Sequence, residues 1–372
     1  MRIALVIERF EPRGGGAEAV AWRVAHGLAA AGDEVHVCVR VAPGGGDSET
    51  PAPALPVGIA LHRLRVAKGW QPRRVWQFSR AAAAATKALG CDVVQTFSRT
   101  RHQDVFRAGG GCHASYMERT YRGLGRTWRR ASPRHALALA IDAAVFGDPA
   151  QHILCNSTMV RDEIADRYRV ATERLSVIVN GVDAARFQPR PEGALPDREG
   201  AERVWLLVGS GFVRKGVDTA LAALARRPTD EALWIAGSDA PAPWMARARA
   251  LGLDGRVRFL GRRDDLPDLY RRADALFLPT RYDAFANVCL EAAASGLPVL
   301  TSGANGAAGW IRDGGLVVAD PEDAGAFAEA LGTLRDPVRA DAMGRAARAR
   351  AEAATWERHI AALRALYRRV CE

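Results

Sequence analysis

Close pairs of cysteine are missing from this 372-residue sequence. Its six cysteines stand at positions 38, 91, 112, 155, 289 and 371. No spacing among them suits a zinc ligand set or a redox pair, which favours a reducing compartment over a disulfide-stapled fold. No apolar run reaches the ~18 residues that a membrane span needs. The opening segment, Met1 to Glu8, reads as a strand, because Glu8 interrupts the apolar run too early for a secretory leader. An Asp-x-Asp motif suited to a metal-bound diphosphate is also missing. So is a Gly-x-Gly-x-x-Gly turn after the first strand, which a nicotinamide-dependent oxidoreductase wants with an acid about 20 residues further on. Acidic residues are scarce in the first half. Residues 1–190 hold 27 Lys/Arg against 17 Asp/Glu, whereas 191–372 hold 25 of each, so the whole net charge of +10 lies in the first half. That half is expected to meet something anionic, such as a phosphorylated lipid, a membrane surface or nucleic acid.

What is present is a regular alternation of buried strands and amphipathic helices in both halves. That pattern predicts two doubly wound parallel α/β sheets, and the length also argues for two domains. A linker rich in Pro, Gly and charge over 189–200 divides them. The expected organisation is a first domain over 1–190, a second over 191–353, and a final helical segment over 354–372.

The stretch from Arg281 to Pro298 organises the second half. A buried strand over Ala275–Leu278 ends at Pro279. A loop carrying Asp283 and Asn287 follows, and a helix runs from about Phe285 to Ser295, stopping at Gly296. In such βαβ units ligands sit at the carboxyl ends of strands, against helix N-termini. Asp283 lies where a ligand meets that helix. Glu291, eight residues on, is about two turns further along, so both carboxylates can face one ligand. A second strand–glycine-loop–helix unit, Val204 to Asp218, carries Arg214 and Lys215.

In the first half, Gly15 and Gly16 form a glycine turn between the first strand and a helix, a backbone suited to an anion. A glycine run ends in His113, with Asp104 just upstream. The segment Gly69 to Trp76 is basic and aromatic. Met117 to His135 carries Arg119, Arg122, Arg126, Arg129 and Arg130 with Tyr116, Tyr121 and Trp128, and Glu118 is its only acid. Arginine suits phosphate, and Trp and Tyr suit a bilayer interface. That segment reads as a patch for an anionic membrane or a phosphorylated glycolipid. No recognition motif for nucleic acid accompanies it.

The acid-x7-Glu spacing of Asp283 and Glu291, the Arg-Lys-Gly loop at 214–216, the order Val-Ile-x-Asn-Gly-Val-Asp then Phe-x-Pro over 177–189, and the Gly-run–His at 109–113 together resemble the retaining GT-B glycosyltransferases of family 4. Enzymes of the lipopolysaccharide-core glucosyltransferase type are the most similar. The resemblance covers nearly the whole chain and is strongest over 204–315. It implies two Rossmann-like domains with a cleft between them, the first binding acceptor and the second a nucleotide sugar. It implies that Glu291 holds the ribose hydroxyls and Asp283 the sugar hydroxyls. Lys215 and Arg214 would contact the diphosphate, with N–H groups of Phe285, Ala286 and Asn287 meeting diphosphate or sugar. The turn at Arg262 would read the base, and Gly15 and Gly16 would line the facing loop. His113 and Asp104 would lie toward donor sugar and acceptor. The family usually has Glu where this chain has Asp283, and often an Arg where it has Ser210. The implied reaction is transfer of a hexose, glucose first, from a nucleoside diphosphate sugar, UDP-glucose first, to a lipid-linked or lipopolysaccharide-core acceptor. It retains configuration and needs neither metal nor cofactor. The implied location is cytoplasmic, peripheral on the inner membrane. Mannosyl- and N-acetylglucosaminyltransferases share these motifs. A nicotinamide oxidoreductase and a non-catalytic sugar-nucleotide sensor are the readings of other classes.

Overall fold

The computed structural model describes residues 1–11, 16–43, 55–67, 69–121, 132–191, 193 and 196–372. The chain divides into two units. One comprises Met1–Asn180 with Trp356–Glu372, and the other Gly181–Thr355.

The first unit is built on a seven-stranded parallel sheet. Its strands are β1 (Arg2–Arg9), β2 (Glu34–Val41), β3 (Ile59–Arg63), β4 (Val93–Thr96), β5 (Val105–Arg107), β6 (His152–Cys155) and β7 (Leu175–Val177). Their order is β3-β2-β1-β4-β5-β6-β7, so the winding reverses between β1 and β4. Residues Ile3 to Ile7 are all buried, as expected of a strand covered on both faces. The described helices of residues 1–180 are α1 (Gly16–Ala30), α2 (Gln71–Leu89), α3 (His113–Thr120), α4 (Pro133–Gly147) and α5 (Thr158–Tyr168). The helix Trp356–Cys371 completes this unit: Ile360, Leu363, Leu366 and Tyr367 join the core formed by β1, β2 and α1. Gly27 makes the close approach possible, since a Cβ there would lie 2.5 Å from Ile360 Cγ1. The Tyr367 hydroxyl donates to Gln95 Oε1 at 2.8 Å inside that core.

The second unit holds a six-stranded parallel sheet in the order β10-β9-β8-β11-β12-β13. Its strands are β8 (Arg203–Val208), β9 (Glu231–Ala236), β10 (Val257–Gly261), β11 (Ala275–Leu278), β12 (Val299–Ser302) and β13 (Gly315–Val318). The helices used below are α6 (Phe212–Lys215), α7 (Val217–Leu224), α8 (Ala242–Ala250), α9 (Leu266–Arg272) and α10 (Asn287–Ala294). The expected α/β class with two parallel sheets is observed. The division falls at 180/181 and not at 190/191. Val182 N–H donates to Ala354 O at 2.9 Å. The Arg348 guanidinium holds the Ala184 and Phe187 carbonyls at 3.2 and 2.8 Å, which ties 182–187 to the second unit. No described helix is long and apolar enough to cross a membrane.

Candidate active site: a carboxylate between two cations

The loops after β8 and β11 are fastened to each other. Gly216, at φ +74°, faces the Pro279 carbonyl so closely that any Cβ would collide with it. Thr280 Oγ1 donates to Arg214 O at 3.0 Å, and Arg281 N–H donates to the same carbonyl at 2.7 Å. The Arg281 side chain bonds Val213 O at 2.7 Å, Asp218 at 2.6 Å and Glu322 at 3.1 Å. Arg281 is thus a clamp between the two loops, a role its sequence position did not signal.

This clamp brings three charged groups together. Asp283 Oδ2 accepts from Arg214 Nη1 at 2.6 Å and from Lys215 Nζ at 2.8 Å. Side-chain exposure is 16% for Asp283, 7% for Lys215 and 29% for Arg214. Burial pushes the Asp283 carboxyl upward, but the two cations outweigh it and hold the group below its ordinary value. Gly209 gives Lys215 its path. Its φ is +134°, and a Cβ there would stand 2.6 Å from Lys215 Cε. One further signal was available in the sequence. Only three of the 52 basic residues are lysines, at 68, 87 and 215, so a lysine is an exception in this chain.

Glu291 lies on α10, where Tyr270 of α9 donates its hydroxyl to Oε2 at 3.0 Å. Burial raises the Glu291 carboxyl above its ordinary value, and the Tyr270 bond opposes that rise. Phe285 and Ala286 are buried, and Asn287 begins α10. Sequence reasoning overlooked Asn305. Its Oδ1 accepts from Ala286 N–H at 3.2 Å and Ala307 N–H at 3.1 Å, and its Nδ2 donates to Thr301 Oγ1 at 3.0 Å. The Ala286 N–H is therefore already committed and is withdrawn from the expected ligand contacts. Asn305 lies in a run of small residues where it looks like loop filler. Asp239 was also missed: it accepts from Gly211 N–H at 2.7 Å and Phe212 N–H at 3.2 Å, holding the glycine loop from below. Arg262 is exposed just after β10.

In the first unit, a cavity of about 350 Å³ opens beyond the carboxyl ends of β1, β4 and β5. Its walls combine Val75, Phe78, Phe97, Leu137 and Ile141 with Arg99, Arg134 and His113. His113 N–H donates to Asp142 Oδ2 at 3.1 Å. Its Nδ1 faces Arg99 Nη2 at 3.4 Å and its Nε2 faces His135 Nδ1 at 2.9 Å. A guanidinium only donates, so Nδ1 accepts and the proton sits on Nε2, donated to His135. Burial, Arg99, His135 and Arg134 push the His113 imidazole down to about 3, which keeps it neutral. Of the glycines before it, Gly109 has a packing reason, because a Cβ there would collide with the Arg107 guanidinium, whereas a Cβ on Gly110 would meet open space.

Asp104 is a correction. It stands at the amino end of β5, where its Oδ2 accepts from Val94 N–H at 2.7 Å, and it does not line the cavity with His113. An acid before a strand here binds a backbone N–H of the neighbouring β4. Gly16 is the exposed first residue of α1, whereas Gly15 lies outside the described residues. Arg119 pairs with Glu163 at 2.8 Å, and Arg122, Arg126, Arg129 and Arg130 lie outside the described residues.

Comparison with known proteins places the chain in a family. Residues 14–186 match the profile described as Glycosyltransferase Family 4, and residues 202–336 match Glycosyl transferases group 1. The glycogen synthase of Mycobacterium tuberculosis is 31% identical over 305 residues, covering 79% of this chain and 67% of the relative. The lipopolysaccharide glucosyltransferase WaaG of Escherichia coli K12 is 31% identical over 257 residues, covering 62% of this chain and 64% of the relative. The crystal structure of WaaG superposes with a TM-score of 0.76 at 26% identity, covering 94% of this chain and 95% of that one. Anabaena HepE, crystallised with UDP-glucose, shares the fold at a TM-score of 0.71 and 16% identity, covering 98% and 99%. Two profile matches, one on each sheet, and these relatives show that the chain belongs to the group 1, family 4 glycosyltransferases of the GT-B fold.

Proposed function

We propose that this glycosyltransferase moves a hexose, glucose first, from a nucleoside diphosphate sugar, UDP-glucose first, to a hydroxyl of a lipid-linked or lipopolysaccharide-core acceptor with retention of configuration. The observation that carries the reading is the joint hold of Lys215 and Arg214 on one oxygen of Asp283. It presents two cations for a diphosphate beside a carboxylate whose Oδ1 can take a sugar hydroxyl. Glu291, held by Tyr270, is the partner for ribose hydroxyls.

In the reaction the bond from the anomeric carbon to the diphosphate oxygen breaks, and its electron pair stays on the leaving oxygen. Lys215 and Arg214 stabilise that charge in a site largely closed to water. One such donor is commonly worth a factor of about 10²–10³ in rate. The acceptor oxygen bonds the anomeric carbon, and its proton passes to the leaving phosphate. Two resident cations beside the diphosphate support a reaction without a divalent metal, and full activity in a chelator is the expected check.

The 350 Å³ cavity in the first unit mixes apolar side chains such as Val75, Phe78 and Leu137 with Glu8, Arg99 and Arg134. That mixture favours an acceptor with an apolar portion over a plain glucan, and the two arginines suit a phosphate on it. That supports a phosphorylated glycolipid acceptor and a peripheral position on the cytoplasmic face of a membrane. Relatedness to WaaG points the same way. Titration with UDP, GDP and ADP, followed by turnover with UDP-glucose, GDP-mannose and UDP-N-acetylglucosamine, tests donor choice. Binding of GDP alone would overturn the UDP-glucose reading, and the anomeric signal of the product reports the stereochemistry.

A further inference from the structure

Exposed tryptophan is an uncommon feature of a protein surface, and here two stand close together at the start of one helix. Trp70 is 65% exposed and Trp76 is 53% exposed. Helix α2 begins at Gln71 with Trp70 as its N-cap residue, and Pro72 fixes its first turn. Within α2 the exposed positions are Arg73, Trp76, Arg80, Ala84, Lys87 and Ala88, and Trp70 is exposed just before its first residue. Steps of three and four residues keep Arg73, Trp76, Arg80, Ala84 and Lys87 on one stripe, about 21 Å long at 1.5 Å per residue, and Trp70 stands at its amino end, just outside the helix. The opposite stripe, Phe78, Ser79, Ala82 and Thr86, is buried against the sheet. The Arg80 guanidinium lies 4.7 Å from the centre of the Trp76 ring. No Asp or Glu occurs anywhere in α2. Glu8, the carboxylate that α2 does meet, pairs with Arg74 and Arg40, away from this stripe.

We propose that Trp70, Arg73, Trp76 and Arg80 form a docking face for an anionic lipid bilayer. The proposal rests on the reading that the acceptor is lipid-linked, and it places attachment on α2 and not on the arginine-rich segment around Arg119. Indole rings belong at the headgroup level of a membrane, and cations alongside them meet anionic lipid phosphates. A nucleic acid would find the same cations, but it needs no pair of protruding apolar rings. A protein partner would need a surface acidic enough to meet every exposed cation of the stripe. The bilayer alone matches both halves of the chemistry. The inner residues of the same turn, Gln71, Pro72, Val75 and Phe78, line the 350 Å³ cavity. Docking the outer stripe therefore brings that cavity to the lipid surface, where the head group of a lipid-linked acceptor is found.

The test uses the full chain and phosphatidylcholine vesicles with and without phosphatidylglycerol, in a sedimentation assay. The wild type is expected to partition preferentially onto phosphatidylglycerol vesicles, with a blue shift in tryptophan emission. Trp70→Ser/Trp76→Ser should lower the partition coefficient at least about tenfold on both vesicle types. Arg73→Gln/Arg80→Gln should remove most of the phosphatidylglycerol preference, by about fivefold per cation. All four positions are exposed, so the variants should keep their circular dichroism and their UDP affinity. Variants that partition like the wild type would overturn the proposal, as would a wild type that binds double-stranded DNA but ignores vesicles. A wild type that binds vesicles through this face yet fails to bind any nucleoside diphosphate would uphold the docking face and sink the donor reading instead.

Discussion

Replacing Asp283 with Asn is the sharpest probe of the charged cluster. The carboxylate neutralises Lys215, whose side chain is 7% exposed, and Arg214, at 29%. The amide keeps the shape and one acceptor oxygen but removes the charge. Breaking a buried ion pair from one side costs about 3–5 kcal/mol. Arg214 is partly solvated and Asn keeps a dipole, so about 3 kcal/mol is the expectation. A domain of the second unit's size loses about 2–4 °C per kcal/mol, which gives a fall in Tm of about 6–12 °C. UDP should reverse much of this loss, because its diphosphate supplies the missing negative charge to the same two cations. The ligand-induced rise in Tm should thus be larger in the variant than in the wild type. Differential scanning calorimetry at pH 7, with and without saturating UDP, reads both quantities. The sign follows from the depressed carboxyl. Its stabilisation is fully present above the unfolded value near 3.8 and is lost as pH falls toward the lower folded value, so the two proteins should converge in strong acid. A Tm unchanged at pH 7, or a smaller response to UDP in the variant, would refute the reasoning.

Four further expectations follow from particular contacts. Gly209→Ala puts a methyl against Lys215 Cε in a backbone conformation that L residues avoid. It should cost about 1–3 kcal/mol in urea unfolding and lower kcat about 100-fold. Tyr270→Phe removes the hydroxyl bound to Glu291 and should weaken UDP about fivefold in a calorimetric titration, with little change in fold. Asn305→Ala leaves the Ala286 and Ala307 N–H groups without their acceptor, and should destabilise the second unit by about 3 kcal/mol in denaturant unfolding. His113 remains neutral down to about pH 3 in the folded state. The unfolded chain binds that proton below about 6.5, so His113 contributes a fall in stability between pH 6.5 and 3 of up to about 1.4 kcal/mol per unit. His113→Gln should show a slope shallower by that amount, keeping the share of His152 and His359, which burial also lowers to about 4.

Much of the second unit was legible in the sequence because its signals are local. Ala275–Leu278 is a short apolar run closed by a proline, and Asp283 and Glu291 lie within one strand–loop–helix, so spacing alone puts them near each other. Lys215 was legible for the same reason, sitting between Gly209 and Gly216. What escaped notice works across the sheet. Arg281 joins two loops through backbone carbonyls, and Asn305 reaches back nineteen residues to Ala286. Neither partner is visible from composition or period. Asp104 misled because an acid near a glycine run looks functional in one dimension, whereas the direction of β5 sends it to the other end of the strand from His113. The proline-rich linker over 189–200 is the conspicuous boundary signal in one dimension. The chain is recruited into the second unit earlier, by carbonyls that Arg348 gathers from a helix far downstream.

The helix Trp356–Cys371 has a consequence for how the protein is made. Tyr367, Leu366 and Leu363 are part of the core that residues 1–180 begin. That core stays incomplete while the whole second unit, roughly 175 residues, is translated. At ordinary elongation speeds the delay is about 10–35 s. The first unit is therefore begun before the second and completed only after it, and through that interval the apolar face awaiting Leu363 is open to a holding chaperone.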